Sequence, residues 1–354
     1  MKQETVQARQ QAILVEIIQY YLSRHEAISA RTLSKISRLA LSPTTIRNLM
    51  EDLSLDGYLT TEGVSRGRIP TQKAFTIYVS RLGVHQRQSR DLAVPIKLGD
   101  EEQLPTLDAV MAQMGRFLSE QTGFIALASL PEKDSYPLDW VRLVPIGEDR
   151  LLVAVQSLYG DLWSKVVPAA EPLPPDVLKE VEWSICRNYH GQPMRVIRED
   201  IMSGMPKDLL ANAPSIGAAF RLLRKVFDWD KAPGWQAWGM EKLYMIPEYQ
   251  QPEKIVRVHR ALQDPNLLSR VLQNARSVEG GLVSIGTETG YPGLEESSVV
   301  GFVFGDGAEW QGMIALMGPM RMDYPLIFNL VSQAATALGG NLREFRENSA
   351  NLCV

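Results

Sequence analysis

The fold of the N-terminal part of the chain is decided by the stretch 42–57, which reads SPTTIRNLMEDLSLDG. Ser42 is a preferred helix N-cap, Pro43 suits the first helical position, and Gly57 suits the end of a helix. The apolar residues of the stretch follow the i, i+3, i+4, i+7 spacing of one helical face: Ile46, Leu49, Met50 and Leu53. The stretch therefore predicts a helix of about four turns with one buried face.

Polar and charged side chains occupy the opposite face of this helix: Thr44, Arg47, Asn48 and Glu51, with Thr45 on the flank. Asn can form two hydrogen bonds to adenine, Arg can read guanine or bind phosphate, and a Thr hydroxyl can serve base or backbone. Local roles are the alternatives, because Thr44 and Thr45 can cap the first turn and Arg47 can pair with Glu51. We expect DNA contacts from four of these side chains: Thr44, Thr45, Arg47 and Asn48.

Two helices precede this segment, and a hairpin and another helix follow it. The expected elements are a helix over about 7–25, a helix capped by Ser29 and ending near Arg38, strands over 58–61 and 64–69, a stop at Pro70, and a helix capped by Thr71. In the second strand Arg66 and Arg68 flank Gly67, and Arg side chains on a hairpin can bind phosphate or enter the minor groove. This order of elements predicts a winged helix-turn-helix.

The distribution of charge supports a nucleic-acid partner for this part of the chain. The 354 residues have a formal net charge of −4. Residues 1–90 contain 13 Lys and Arg against seven Asp and Glu, a net charge of +6, so the remaining 264 residues carry −10. We interpret this asymmetry as a basic DNA-binding head on an acidic body.

Cysteine use and hydropathy indicate the compartment. The two cysteines, Cys186 and Cys353, lie too far apart in a long chain for a disulfide framework or a paired metal-ligand motif. The N-terminus lacks the apolar core of a signal peptide, and no stretch approaches the ~18 apolar residues that span a bilayer. We expect a cytoplasmic protein without a membrane partner.

The remainder of the chain predicts a mixed helical and sheet body. Residues 84–105 lack periodicity and are interpreted as a linker. One helix and three apolar runs indicate an antiparallel sheet with helices beside it: 107–121, 124–130, 141–146 and 151–158. The stretch 191–252 is rich in proline and contains Trp229, Trp235 and Trp238, which indicates an inserted subdomain.

Catalytic and metal-binding patterns are missing from the sequence. The four histidines are isolated, and none has the spacing of a metal-ligand pair. Cys186 lies near His190, but such a pair on a helix is expected by chance. We expect no cofactor, no metal and no enzymatic activity.

Three separated segments carry a family resemblance: SPTTIRN at 42–48, GRIPT at 67–71 and GPMRMDY at 318–324. Together they resemble the heat-inducible transcription repressor HrcA. The segment Arg31-Thr32-Leu33-Ser34 is similar to the second-helix segment of the family, and Gly239–Glu248 to its strand ending in Pro-Glu. Residues 84–238 match only in general character.

The resemblance implies an α+β multidomain fold. Its parts would be a winged helix-turn-helix DNA-binding domain (1–83), a linker (84–105), a GAF-like α/β domain with an antiparallel sheet in two parts (106–190 and 253–354), and an inserted dimerisation subdomain (191–252). It also implies a homodimer that represses chaperone operons from an inverted-repeat operator and is folded with help from a GroEL-type chaperonin. The DNA-binding residues would then be Arg31, Thr32, Thr44, Thr45, Arg47, Asn48, Arg66 and Arg68.

Two features leave open the preferred operator and the way in which the protein is controlled. The wing of the family usually reads Thr-Ser-Ala-Gly-Arg, where this chain has Val64-Ser65-Arg66-Gly67-Arg68, and Leu49 replaces the family's Asp in the recognition helix. Arg321 and Asp323 of the third segment could line a ligand pocket, or Asp323 could simply cap a helix. A winged-helix regulator controlled by a small metabolite is therefore the alternative function.

Overall fold

Three groups of elements make up the computed structural model of the chain, which describes residues 2–61, 67–81, 106–129, 133–147, 149–169, 173–203, 235–264, 266–305 and 311–350. We name them by their described residues: the N-terminal unit (within 2–81), the inserted unit (within 133–203) and the large sheet unit (106–129 and within 235–350). The predicted mixed fold of helices and antiparallel sheets is confirmed. No helix in the described ranges has the length and apolar character needed to cross a bilayer.

The N-terminal unit consists of helices around a two-stranded hairpin. Its elements are α1 (Lys2–Arg24), α2 (Ala30–Ile36), α3 (Pro43–Leu55), β1 (Leu59–Thr60), β2 (Ile69–Pro70) and α4 (Gln72–Ser80). The predicted apolar stripes meet in one core: Ile13, Ile17 and Ile18 of α1, Leu33 of α2, Ile46, Met50 and Leu53 of α3, and Phe75 and Val79 of α4. Ser29 and Ser42 cap α2 and α3, as predicted.

Three local predictions in this unit differ from the structure. α1 begins at Lys2 rather than near residue 7. Pro70 does not end the hairpin but pairs with Leu59 inside it, because an edge strand tolerates a residue without an N–H group. Thr71 precedes α4 without capping it; its hydroxyl donates instead to the Gly57 carbonyl at 2.7 Å and joins the end of α3 to the start of α4.

The large sheet unit is built on a six-stranded antiparallel sheet in the order β7-β3-β11-β10-β9-β8. Its strands are β3 (Ile125–Ser129), β7 (Trp235–Trp238), β8 (Arg276–Val278), β9 (Gly281–Ile285), β10 (Ser297–Gly305) and β11 (Gln311–Pro319). Its helices are α5 (Leu107–Thr122), α8 (Pro252–Ala261), α9 (Leu267–Gln273) and α10 (Tyr324–Ala350).

Alternating side chains give this sheet two buried faces. On β3, Ala126 and Ala128 pack with α5 and α10, whereas Ile125 and Leu127 pack with α8 and α9. Covering both faces explains why β10 and β11 are buried almost without interruption rather than in alternation. The sheet therefore forms the middle layer between two layers of helices.

The inserted unit has a smaller sheet of its own, in the order β4-β5-β6. Its elements are β4 (Leu138–Ile146), β5 (Arg150–Ser157), β6 (Leu162–Pro168), α6 (Pro175–Tyr189) and α7 (Met194–Ser203). One face of this sheet packs against α6, and Glu182 of α6 accepts a hydrogen bond from the Leu143 N–H at 2.6 Å. The other face carries the exposed apolar side chains Val144, Leu162 and Val166.

The segment that forms a separate sheet in the structure differs from the predicted insertion, 191–252. The smaller sheet comes earlier, at 138–168, and Trp235–Trp238, expected within the insertion, is the edge strand beside β3 in the large sheet. The runs 141–146 and 151–158 likewise do not share a sheet with 124–130. A four-residue strand whose partner lies more than 100 residues earlier has no local signal, which is why proline content and tryptophan clustering misled the prediction. The predicted linker 84–105 and residues 204–234 lie outside the described residues.

Candidate nucleic-acid interface

The outward face of α3 presents the predicted DNA-contacting side chains together. Thr44, Thr45, Arg47 and Asn48 are exposed, while the four apolar residues of the stretch are buried beneath them. Arg47 forms no salt bridge with Glu51 among the described residues, so its guanidinium is free to meet a ligand. The observed helix therefore carries hydrogen-bonding groups and a positive charge within its first two turns.

Two serine–threonine pairs open α2 and α3 in the same way. Ser42 Oγ accepts from the Thr45 N–H at 3.1 Å and lies 2.8 Å from Thr45 Oγ1. Ser29 Oγ accepts from the Thr32 N–H at 3.1 Å and lies 2.9 Å from Thr32 Oγ1. Thr32 and Thr45 thus have local hydrogen bonds, which orient their hydroxyls at the N-termini of the two helices.

Exposed cations extend this face onto α2 and the turn after it. Arg31 and Lys35 of α2 and Arg38 of the turn are exposed, as is Arg47 of α3. The helices α2 and α3 pack against each other. The resulting surface combines the positive charge that binds phosphate with the short polar side chains that bind bases.

The predicted wing is joined to the helices through Arg68. Its backbone N–H and carbonyl pair with Ile28, with N–O distances of 2.9 and 3.0 Å. A Cβ on Gly67 would lie 2.7 Å from the Cβ of Ala27, so the glycine allows the hairpin to approach the start of α2 closely. The side chain of Arg68 is partly exposed, and Arg66 lies outside the described residues.

Sequence reasoning missed a carboxylate that supports the turn between α2 and α3. Glu16 of α1 accepts a hydrogen bond from the Arg38 N–H through Oε1 at 3.1 Å. In the same turn Ala40 has a φ of +50°, in the left-handed region. The available signal was an acidic residue three positions after Ile13, beside the buried stripe of α1.

The C-terminal segment 318–324 contacts other parts of the protein. Asp323 Oδ1 accepts from the Leu326 N–H at 3.2 Å and caps α10, in agreement with the structural alternative. Arg321 donates to both carboxylate oxygens of Glu248, and its Nη1 lies 2.8 Å from His25 Nδ1. Tyr324 is fully buried, and its hydroxyl donates to the Met320 carbonyl at 2.7 Å.

Groups suited to catalysis or metal binding do not converge in the described ranges. There, no cluster of three or more His, Cys, Asp or Glu side chains could hold a metal ion. The His190 N–H donates to the Cys186 carbonyl at 3.0 Å, which is ordinary helix termination. His85, one of the four histidines, lies outside the described residues.

The family model described as the HrcA protein C-terminal domain matches residues 108–327, which is more than half of the chain. The chain belongs to the HrcA family. The HrcA match covers the inserted unit together with nearly all of the large sheet unit before α10. The match begins at residue 108, after the N-terminal unit, and does not include that unit.

Full-length relatives extend the similarity to the N-terminal unit. The heat-inducible transcription repressor HrcA of Acetivibrio thermocellus is 28% identical over 331 residues, which are 92% of this chain and 93% of that protein. The protein of the same name from Moorella thermoacetica is 25% identical over 338 residues, covering 95% and 98%. Because both alignments cover over nine tenths of this chain, the HrcA resemblance seen in three short segments is confirmed over its length.

One solved structure shares the architecture. A crystal structure described as that of a hypothetical protein superposes with a TM-score of 0.66 and 22% sequence identity, covering 95% of this chain and 98% of the other. At this identity the likeness establishes the fold alone.

Proposed function

We propose that this chain is a heat-shock transcriptional repressor that binds operator DNA through a winged helix-turn-helix formed by residues 1–83. The observation that carries the proposal is the exposed polar face of α3, where Thr44, Arg47 and Asn48 lie above a fully apolar inner face. The names of the relatives, heat-inducible transcription repressors, agree with it.

In this proposal α3 enters the major groove with its N-terminus toward the bases. Asn48 bonds one base edge, for which adenine offers the matching donor and acceptor, and Arg47 contacts guanine or phosphate. Thr44 and Thr45, together with Arg31 and Thr32 at the start of α2, hold the backbone of the DNA. A bidentate contact of this kind discriminates against a wrong base by about 1–3 kcal/mol.

The hairpin supplies contacts beside the groove. The backbone of Arg68 is hydrogen-bonded to that of Ile28, between α1 and α2. The position of the Arg68 side chain is therefore fixed relative to these helices. Arg66 lies two residues before it in the sequence, and we assign it to phosphate or the minor groove as well. These contacts add affinity that is independent of base sequence and sensitive to salt.

The outer face of the smaller sheet is proposed as the surface that joins two copies. Val144, Leu152 and Val166 are aligned across the three strands, and Val144, Leu162 and Val166 are 48%, 59% and 49% exposed. A twofold dimer would bury this face against itself and present two heads to an inverted repeat. We therefore propose the inserted unit, rather than 191–252, as the dimerisation subdomain.

We further propose that the large sheet unit is the GAF-like domain and that its folding requires a GroEL-type chaperonin. Its strand β3 pairs Ser129 with Met313 and Ala128 with Gln236, so the sheet closes only after the inserted unit has been synthesised. Such long-range antiparallel pairing is slow and exposes unpaired strand edges to aggregation. Dependence on a chaperonin that is occupied after heat shock would lower the amount of active repressor.

Fluorescence anisotropy with the full-length protein tests the DNA-binding proposal. The probe is a duplex that the wild-type protein selects from a random pool of inverted repeats, and the control is a scrambled duplex of the same composition. We expect affinity to exceed that for the control by a factor of about 10³ or more. Equal affinity for the two duplexes would contradict operator binding.

A further inference from the structure

The N-terminal unit rests on the large sheet unit through a cluster around Arg321, in the loop before α10. Arg321 Nε and Nη2 donate to the two oxygens of Glu248, with Nη2–Oε2 at 2.8 Å. Its Nη1 lies 2.8 Å from Nδ1 of His25, the residue directly after α1. Because a guanidinium has only donors, Nδ1 must accept, and the imidazole is neutral in this contact.

The cluster constrains the direction that the chain takes after α1 as well as its distance from Arg321. The side chains of Arg321 and Glu248 are 16% and 24% exposed, so the two parallel hydrogen bonds are largely shielded from water. His25 has a φ of +57°, a left-handed turn that directs the chain away from the axis of α1. The planar guanidinium therefore connects a partly buried carboxylate of the large sheet unit to the end of a helix in the N-terminal unit.

A second set of polar contacts lies along α4. Gln72 Oε1 accepts from both the N–H and the hydroxyl of Thr287, each at 3.1 Å. Thr76 donates its hydroxyl hydrogen to Glu288 Oε1 at 2.9 Å. Thr287 and Glu288 belong to one 3₁₀ turn, Gly286–Thr289, between β9 and β10. This turn is therefore a docking site for the first two turns of α4.

Close packing accompanies these hydrogen bonds. The ring of Phe75 lies 6.2 Å from the ring of Tyr324, and both side chains are buried. A Cβ on Gly286 would lie 2.5 Å from Gln72 Oε1 and 3.0 Å from the Glu295 carbonyl oxygen, so the glycine lets the turn and the start of α4 approach closely. The interface thus combines a buried aromatic pair with directed hydrogen bonds.

The recognition face takes no part in this interface. The contacts come from the end of α1 and from α4, whereas the outward side chains Thr44, Arg47 and Asn48 of α3 are exposed. The N-terminal unit can therefore stay docked while α3 faces a ligand. A docked head has one orientation, and in a dimer that orientation sets the distance and angle between the two recognition helices.

We propose that Arg321, held by Glu248, is a positioning residue that fixes the head on the body and thereby sets the half-site spacing the protein accepts. The inference rests on the proposed operator binding as a dimer. Loss of Arg321 frees the end of α1, leaves α4 as the remaining attachment and lets each head vary in angle. The protein then binds its preferred operator less tightly and tolerates altered spacings better.

Hydrogen–deuterium exchange without DNA tests the docking itself. In Arg321→Ala we expect faster amide exchange in the turn Gly286–Thr289 and at the end of α1, with the inserted unit unchanged. Lys254→Ala is the matched control, because it breaks the Lys254–Glu296 ion pair of the large sheet unit without touching the head. Unchanged exchange at both head-facing segments in Arg321→Ala would overturn the proposal, whatever the protein does with DNA.

Anisotropy on duplexes with altered spacers tests the consequence. Two inserted base pairs rotate one half-site by about 70°, and we expect wild type to lose affinity about 100-fold. Arg321→Ala should bind the selected duplex about tenfold more weakly than wild type but lose only about threefold on insertion. Failure of wild type to select any inverted repeat would contradict the proposed function and leave the exchange experiment to decide on the docking.

Two outcomes with DNA would overturn the positioning role. One is a spacing dependence in Arg321→Ala identical to that of wild type and Lys254→Ala. The other is tighter binding of the selected duplex by Arg321→Ala, which would mean that docking opposes DNA binding. If Arg321→Ala does not fold, Glu248→Gln keeps the shape and removes the charge, and it should change spacing tolerance in the same direction.

Discussion

Two uncovered surfaces within the described ranges have opposite chemistry: the outward face of α3 and the outer face of the smaller sheet. The first presents Thr, Arg and Asn above an apolar core, and the second presents Val and Leu on strands whose other face packs on α6. Exposed hydrogen-bonding groups suit a hydrated, charged partner, whereas an exposed apolar face suits a partner that excludes water. Exposure alone therefore does not identify the kind of partner, whereas the chemistry of the exposed atoms does.

The largest expected effect comes from placing charge on the apolar surface. In the double variant Leu162→Asp, Val166→Asp, association would bury two carboxylates on each copy, so we expect sedimentation to show a monomer. Operator affinity should fall by a factor of about 100 or more, because one head contacts only one half-site. Lys179→Asp is the control, since it adds a carboxylate at an exposed position of α6 rather than on this apolar surface. A dimer that survives the double substitution would place the interface elsewhere.

The sharpest effect on the polar surface is expected at Asn48. Asn48→Ala removes a bidentate partner for one base, so affinity for the selected duplex should fall by about 1–3 kcal/mol. Single base-pair changes across one half-site locate that base, because Asn48→Ala loses its preference there and keeps it elsewhere. The measurement is anisotropy for both proteins on every duplex of the series. Uniform weakening across the series would assign Asn48 to the DNA backbone instead.

A smaller and different effect is expected at the hairpin. Arg68→Ala should weaken binding of selected and scrambled duplexes alike and reduce the slope of log affinity against log salt by about 1. Titrations at several salt concentrations measure that slope. A slope that matches wild type would show that Arg68 does not contact phosphate. Comparison with Asn48→Ala then distinguishes base-specific recognition from the binding of phosphate by the same surface.

The smallest effect concerns the contact between head and body, and it depends on pH. Burial and then the charge of Arg321 lower the pKa of His25, and Glu248 opposes this effect. Because the pKa is lower in the docked state, docking is fully supported above about pH 6.5 and is weakened as the pH falls through the lowered pKa. After correction for the intrinsic, base-catalysed exchange rate at each pH, the protection of the amides in Gly286–Thr289 should therefore be lower at pH 5.5 than at pH 7.5. His25→Asn, which tolerates the left-handed backbone, should abolish that difference.

Local patterns predicted the N-terminal unit well and the body poorly. Cap residues and apolar spacing located α2 and α3, since each signal acts within a few residues of its effect. The close approach of Gly67 to Ala27 had no signal in the sequence, because Ala27 lies forty positions earlier and is brought near only by the folded hairpin. Glu16 was missed for a similar reason, since its partner is the backbone of a distant turn.

By itself the sequence determined which residues form the recognition helix, which of its faces is polar, and which family the chain resembles. These properties follow from the 3.6-residue period, from capping chemistry and from short motifs, all of which are local. Only the tertiary structure decided that Trp235–Trp238 joins the large sheet, that the exposed apolar face belongs to the smaller sheet, and that Arg321 contacts His25. Such contacts join residues up to 296 positions apart. Which distant residues meet depends on how the whole chain packs, and no local periodicity of the sequence specifies it.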